Sequence, residues 1–258
     1  MVNVETKSSK KIPSKLDNPI IEIKNLYKSF GNNEVLKGLN ITVNKGESLV
    51  VLGRSGSGKS IAIKCLVGLI KADEGEIIVM GKDVIKTTDT ELNEIRTKIG
   101  FLFQNGALYD SMSVRQNLAF TLKHHTKNLP TDEVNKRIVE ALENVGLEES
   151  IDKMPSELSG GMQKRIGLAR TLIISPEIIL YDEPTTGLDS ITSREISELI
   201  LSIQKKYKTT SIIITHDMPC AKMTSDRILI LKDGQVGAEG TYDELEKSKE
   251  DWVKSFFI

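Results

Sequence analysis

The sequence is poor in cysteine, aromatic residues and net charge, and it holds no long apolar run. Each shortage excludes something. Two cysteines, Cys65 and Cys220, stand far apart and make no disulfide framework, so a reducing compartment is expected. Cys65 falls on an apolar segment, where a free thiol serves as a small hydrophobic side chain. A formal net charge of -1 gives no basic footprint, and nucleic acid is not expected as a partner. A spanning helix needs about 20 consecutive apolar residues, and no stretch supplies them. Any work at a membrane would need a partner that provides the membrane part. Residues 1–19 are polar and rich in Lys and Ser, without the apolar centre of a secretory signal, and are expected to form a flexible tail. There is no internal repeat and no low-complexity tract, so residues 20–258 read as a single domain.

What is present centres on Gly53-Arg54-Ser55-Gly56-Ser57-Gly58-Lys59-Ser60. The apolar run 48–52 precedes it and the apolar run 61–67 follows, and strand, glycine loop, helix is the setting of a phosphate-binding loop. Glycines let backbone N–H groups turn inward on an anion, and the helix behind adds its free N–H groups and positive dipole end. Lys59 is a mobile cation for β- and γ-phosphates, and the Ser60 hydroxyl is a hard oxygen suited to Mg²⁺. A Gly/Ser-rich surface loop would not stand between a buried strand and an apolar helix.

Around this loop the pattern predicts an α/β fold with a mostly parallel sheet. Residues 20–26 and 35–43 read as an antiparallel β layer ahead of the loop strand. Residues 75–81 and 99–103 read as short strands, and 90–96 as a short helix. Residues 113–122 and 132–145 show helical spacing with no strand between them, so an α-helical insert over about 105–170 is expected. A helix opens at Ser159. The runs 178–181 and 211–215 are apolar throughout, as in a parallel sheet covered on both faces, with an amphipathic helix over 190–206 between them. A hairpin around Asp233-Gly234 and a short helical tail over about 241–258 close the chain, with Phe256-Phe257 expected against the core.

Asp182-Glu183 follow the run 178–181 directly, which delivers two carboxylates to the edge where α/β sheets bind ligands. One can hold Mg²⁺ with Ser60, and the other can polarise water for attack on the γ-phosphate. Beside a phosphate loop, this outweighs a solvated acidic turn. Leu158-Ser159-Gly160-Gly161-Met162 makes a second anion-ready helix start. One chain needs a single γ-phosphate site, so a two-fold dimer is expected, each copy closing over the nucleotide held by the other's Lys59. His216 follows a buried strand, while His124 and His125 stand in a polar stretch and read as solvated.

In this order the motifs resemble the ATP-binding subunit of ABC transporters, over roughly residues 20–258. The fold implied is the P-loop NTPase core with an antiparallel β subdomain and a helical insert. The resemblance implies ATP and Mg²⁺, with Glu183, His216, Lys59 and Gln104 catalytic, and Ser60, Gln104 and Asp182 at the metal. Phe30 would stack on adenine. Arg54, Ser55, Gly56, Ser57, Gly58, Ile61 and Asp189 would complete the nucleotide contacts with Ser159, Gly160 and Gly161. Met162 departs from the consensus glutamine. Residues 102–114, 154–162 and 250–257 are similar to the Mla-type, MCE-associated ATPases that energise phospholipid movement between bacterial membranes. That implies a permease docking near residues 104–114 and the insert, an MCE-domain lipid-binding protein, and a peripheral place on the cytoplasmic face of the inner membrane. The alternative is an importer ATPase for a small solute such as an amino acid or osmolyte.

Overall fold

The computed structural model describes residues 19–126 and 129–257; the expected tail over residues 1–18 lies outside them. β1 (Pro19–Phe30) points Ile21, Ile23 and Leu26 inward and pairs antiparallel with β2 (Asn33–Asn44) across a turn at Gly31, whose φ is 59°. β3 (Ser48–Gly53) leads into the phosphate loop and α1 (Lys59–Leu66). The chain then returns to the first layer. β4 (Glu74–Val79) pairs antiparallel with β1, and β5 (Lys82–Asp83) with β4. The antiparallel layer therefore does not all precede the loop, as the sequence reading had it; its order is β2-β1-β4-β5. The inward residues Ile77 and Val79 sit opposite Ile23 and Ile21, and that long-range pairing places the strand.

α2 (Asp89–Arg96) starts one residue earlier than its expected Thr90, because Thr88 and Glu91 form a reciprocal capping box. β6 (Ile99–Leu102) follows. The middle is helical: α3 (Val114–His125), α4 (Thr131–Glu143) and α5 (Gly160–Leu172), with short 3-10 turns at Glu148–Ser150 and Pro155–Glu157. The rest runs β7 (Ile178–Asp182), α6 (Ser190–Tyr207), β8 (Thr210–Ile214), α7 (Met218–Thr224), β9 (Arg227–Lys232), β10 (Gln235–Gly240), α8 (Tyr242–Glu246) and α9 (Asp251–Lys254). α7 is an element that periodicity did not announce. It has seven residues, and its signal was local: Asp217 caps it and a proline stands in its first turn.

The second sheet has order β10-β9-β3-β8-β7-β6, parallel except for the β9–β10 hairpin. Its strands are apolar on both faces because each face has its own core. Val50, Leu52, Ile179, Tyr181, Ile213, Ile228 and Ile230 face one cluster with α3, α4, α5 and α6. Leu49, Val51, Ile178, Leu180, Ile212, Ile214, Leu229 and Leu231 face the other, with α1 and the antiparallel layer. The helical middle thus shares its core with the sheet. Phe256 and Phe257 pack against that same cluster. The register sets Val51 beside Ile214, Asp182 beside Ile214 and Leu102 beside Tyr181. The C-terminal ends of β3, β6, β7 and β8 therefore open on one edge, where the motif residues gather.

Candidate active site

The phosphate loop leaves β3 at Gly53 and enters α1 at Lys59. Gly58 has φ 98°, and a Cβ there would stand 2.7 Å from the Leu36 side chain, so the turn needs glycine twice over. Lys59 folds back over the loop and donates to the carbonyls of Gly53 at 2.7 Å and Arg54 at 3.1 Å. Burial pulls its pKa below the usual lysine value, against the pull of Glu183 and Asp182. An ammonium so held is pre-placed for an anion in the loop. Arg54, Ser55 and Gly56 are exposed and line a cleft of about 620 Å³ that also reaches Val35, Leu231 and Trp252. Ser57 is half-buried, and its Oγ has no hydrogen-bond partner among the described residues. Ile61, on the first turn of α1, packs against the core under the antiparallel layer.

Ser60 Oγ donates to Asp182 Oδ1 at 3.0 Å. Asp182 is buried at the end of β7, and burial pushes its pKa up, opposed by the Ser60 hydrogen bond. A hydroxyl and a carboxylate in contact, with burial disfavouring the bare anion, suit a hard divalent cation. Among the described residues no group of three or more His, Cys, Asp or Glu gathers as a metal cage. Two protein oxygens fit Mg²⁺, which keeps its waters and takes phosphate oxygens as its other ligands. Gln104, the third expected ligand, does not join this pair by hydrogen bonding. It is exposed just past β6, and its backbone carbonyl is what is held, by Lys164.

Glu183 sits at φ 52°, a region where non-glycine residues are uncommon. Its N–H donates to the Ile214 carbonyl at 2.9 Å, which ties it to β8. Its carboxylate accepts from Thr186 Oγ1 at 3.1 Å and lies 2.8 Å from His216 Nδ1. The His216 side chain is 69% exposed while that of Glu183 is 15% exposed, so the imidazole covers the solvent side of a shielded carboxylate. Two expected residues from different strands thus meet through a direct contact.

Ser159 caps α5, its Oγ accepting from the Met162 N–H at 3.3 Å. Gly160 lies over Leu188, and a Cβ on Gly161 would stand 2.6 Å from Thr192, so glycine lets α6 pack against this helix start. Asp189 caps α6, accepting from Ile191 and Thr192 N–H at 3.0 Å each and from Thr192 Oγ1 at 2.6 Å. Its carboxyl is held below the usual range by those Thr192 bonds. Within one chain, no hydrogen bond joins Ser159, Gly160 or Gly161 to the Lys59 loop. Phe30, 48% exposed at the end of β1, has Lys28 Nζ 5.2 Å from its ring centre.

Sequence reasoning missed three residues of the surroundings. Lys164 on α5 is buried and donates to the carbonyls of Gln104 and Glu183. Arg170, two turns on, donates to the carbonyls of Ala107 and Gly106. Asn117 on α3 is wholly buried and bonds both the N–H and the carbonyl of Tyr109. For Asn117, an amide among the buried apolar residues of α3 was the available signal; Lys164 and Arg170 bond backbone carbonyls, and no sequence pattern announces those. His124, read as solvated, is exposed, and its ring lies against Phe120 with centroids 4.2 Å apart.

Comparison with known proteins gives consistent matches. The family model described as ABC transporter matches residues 36–186. A probable ribonucleotide transport ATP-binding protein, mkl, of Mycobacterium leprae is 41% identical over 236 residues, covering 92% of this chain and 68% of that protein. The chain spans about two thirds of its length. The intermembrane phospholipid transport system ATP-binding protein MlaF of Haemophilus influenzae is 38% identical over 237 residues, covering 92% of this chain and 89% of that one. The dimeric structure of a post-hydrolysis state of the ATP-binding cassette MJ0796, bound to ADP and Pi, superposes with TM-score 0.79 at 34% identity, covering 86% of this chain and 98% of that one.

Proposed function

The chain belongs to the ABC transporter family and is an ATPase subunit of a transporter; from that premise we propose that it works as a nucleotide-bridged pair that drives a permease moving phospholipid between membranes. Its residues divide the work. The phosphate loop and Lys59 hold the β- and γ-phosphates of ATP, and Phe30 stacks on the adenine. Ser60 and Asp182 would hold magnesium, which would supply positive charge to the phosphate oxygens. Glu183 orients and polarises the attacking water, and His216 fixes the direction of that carboxylate. The Ser159–Gly161 start of a second copy offers its N–H groups to the γ-phosphate, with Asp189 beside it. ATP joins the two copies, and hydrolysis releases them.

The observation that carries the docking part is the clamp on the segment after β6. Tyr109 is 45% exposed, yet the loop beneath it is bound to α3 by Asn117 and to α5 by Arg170. An exposed aromatic on a firmly held loop is a contact surface that can transmit force. Support for a lipid cargo comes from the MlaF relative, whose match runs nearly the full length of both chains. The mkl relative, described as a ribonucleotide transporter, keeps a polar solute as the competing cargo. The test is purification from detergent-solubilised membranes and identification of co-purifying proteins and lipids. A permease with an MCE-domain protein and bound phospholipid is expected. A solute receptor in their place would remove the lipid reading and leave the ATPase intact.

A further inference from the structure

α5 turns one stripe, at i, i+3 and i+6, toward the loop after β6: Lys164, Gly167 and Arg170. The loop backbone lies directly on it. A Cβ on Gly167 would stand 3.0 Å from the Gly106 carbonyl, and one on Gly106 would stand 3.1 Å from the Gln163 carbonyl. Arg170 donates to the carbonyls of Ala107 and, at 3.2 Å, of Gly106, with its guanidinium 6.0 Å from the Tyr109 ring centre. Lys164 differs from the other two. Its ammonium, on a residue only 6% exposed, donates to the Gln104 carbonyl at the start of the loop and to the Glu183 carbonyl at 3.3 Å. Buried cations persist where their donors are used, and a lysine has three donors on a compact head, enough for two carbonyls at once.

The two carbonyls belong to different machines. One opens the exposed segment beneath Tyr109, and the other is part of the peptide that carries the catalytic carboxylate. That peptide is strained, with Glu183 at φ 52°, so small changes in what holds it redirect its side chain. Its other anchors, the Glu183 N–H to Ile214 bond at 2.9 Å and the Thr186 N–H that donates to the same Glu183 carbonyl at 3.2 Å, come from the sheet and from the turn after it, so among the described residues Lys164 is the one contact that reaches this peptide from the loop. We propose that Lys164 is a positioning residue for hydrolysis, an ammonium bridge that ties the loop after β6 to the Glu183 backbone and carries displacement of that loop to the water-orienting carboxylate. Its transmission role rests on the reading of the loop as the permease-facing surface. The bridge itself rests only on the contacts.

The test uses the full chain with Lys164→Met, Lys164→Arg and Lys164→Gln, read by steady-state ATP hydrolysis, equilibrium ATP affinity and thermal melting. Methionine keeps length and removes every donor, so kcat falls on the order of tenfold to a hundredfold, as expected when a reacting group is misplaced by a fraction of a bond length. ATP affinity stays within about threefold of the parent, because no phosphate contact is touched. Arginine and glutamine keep donors and recover part of kcat. Arg165→Met, the next position on the helix and bonded to Glu195, leaves kcat at the parent value. Parental kcat in a folded Lys164→Met protein overturns the proposal. So do equal losses of kcat and ATP affinity, or a melting temperature restored by arginine without recovery of kcat. Should the methionine variant fail to fold, a folded Lys164→Leu variant, which also lacks every donor, with parental kcat overturns it equally. In the transporter complex, the stimulation of hydrolysis by the membrane partner also falls in whichever donor-free variant folds. A permease that docks elsewhere would abolish that effect and leave the basal loss in place, so the two readings fail separately.

Discussion

Glu183 concentrates the argument at the scale of single residues. It directly follows a wholly buried strand, in a left-handed conformation, and its carboxylate is bracketed by Thr186 and His216. Glutamine in its place preserves shape and removes the charge that polarises water. Glu183→Gln should bind ATP as the parent does and lower kcat on the order of a hundredfold to a thousandfold, measured as phosphate release beside equilibrium nucleotide binding. Turnover at the parental rate would take Glu183 out of its role. Lys59, Ser60, Asp182 and Glu183 were legible because each is written into a short local pattern of glycine, cation, hydroxyl or strand-end carboxylate. The contact between His216 and Glu183 was not, because it joins residues 33 apart through two adjacent strands. Lys164 was hidden for a related reason. Its meaning lies in carbonyls 60 and 19 residues away, and no side-chain pattern reports a backbone acceptor.

At the scale of elements, α3 and the segment ahead of it form one unit. Ser113 caps the helix reciprocally with Gln116, at 3.3 Å and 2.9 Å. One turn in, the buried Asn117 amide accepts from Tyr109 N–H at 2.8 Å and donates to the carbonyls of Tyr109, Met112 and Ser113 at 3.1, 2.9 and 3.1 Å. Tyr109 packs edge-on to Phe120 with centroids 5.1 Å apart. Asparagine is a poor choice for a helix interior, and here its side chain serves the loop instead of the helix. Asn117→Ala takes their partner from the Tyr109 N–H and the Met112 carbonyl, while the Tyr109 and Ser113 carbonyls keep backbone donors, and should destabilise the protein by about 2–4 kcal/mol. Limited proteolysis should show faster cleavage within residues 105–113, with ATP affinity unchanged because the Lys59 loop shares no bond with Asn117. Parental protease resistance would show that α5 alone holds the segment. Helical spacing announced α3 from the sequence, but the role of one polar residue on its buried face needed the loop in place.

At the scale of the whole molecule, two cores lie on opposite faces of one parallel sheet, and the alternation along β3, β7, β8 and β9 assigns each side chain to one of them. Continuous apolar runs made those strands legible. The partnership of β4 and β5 with β1 was not, because strand pairing over some fifty residues is decided by register and burial, and those are properties of the assembled layer. The two sheets also have to be held at a fixed angle, and Arg227 does this. It opens β9, is 4% exposed, and donates to Glu47 Oε1 at 2.6 Å, to Glu239 Oε1 at 2.5 Å and to the Thr42 carbonyl. Thr42 belongs to β2 in the antiparallel layer, Glu47 to the corner before β3, and Glu239 to β10, so one guanidinium touches both sheets and the turn between them. The same corner is tied by Gly46 N–H to Thr210 Oγ1 at 2.9 Å and by Asn44 N–H to Glu47 Oε2 at 2.8 Å. Arg227→Met fills similar space but leaves the shielded Glu47 carboxylate without its cation, which should cost about 3–5 kcal/mol. The exposed pair Arg194–Glu198 is the contrast: losing Arg194 should cost under about 1 kcal/mol, because water screens both partners. Denaturant midpoints read the difference, with slopes unchanged if only the folded state is altered. If Arg227→Met were no worse than Arg194→Met, the shared apolar core and the remaining backbone ties, such as Lys37 N–H to the Gly234 carbonyl at 3.0 Å, would hold the two sheets without Arg227. If Glu47→Leu added to Arg227→Met restores part of the loss, the cost lies in the stranded carboxylate rather than in the missing packing.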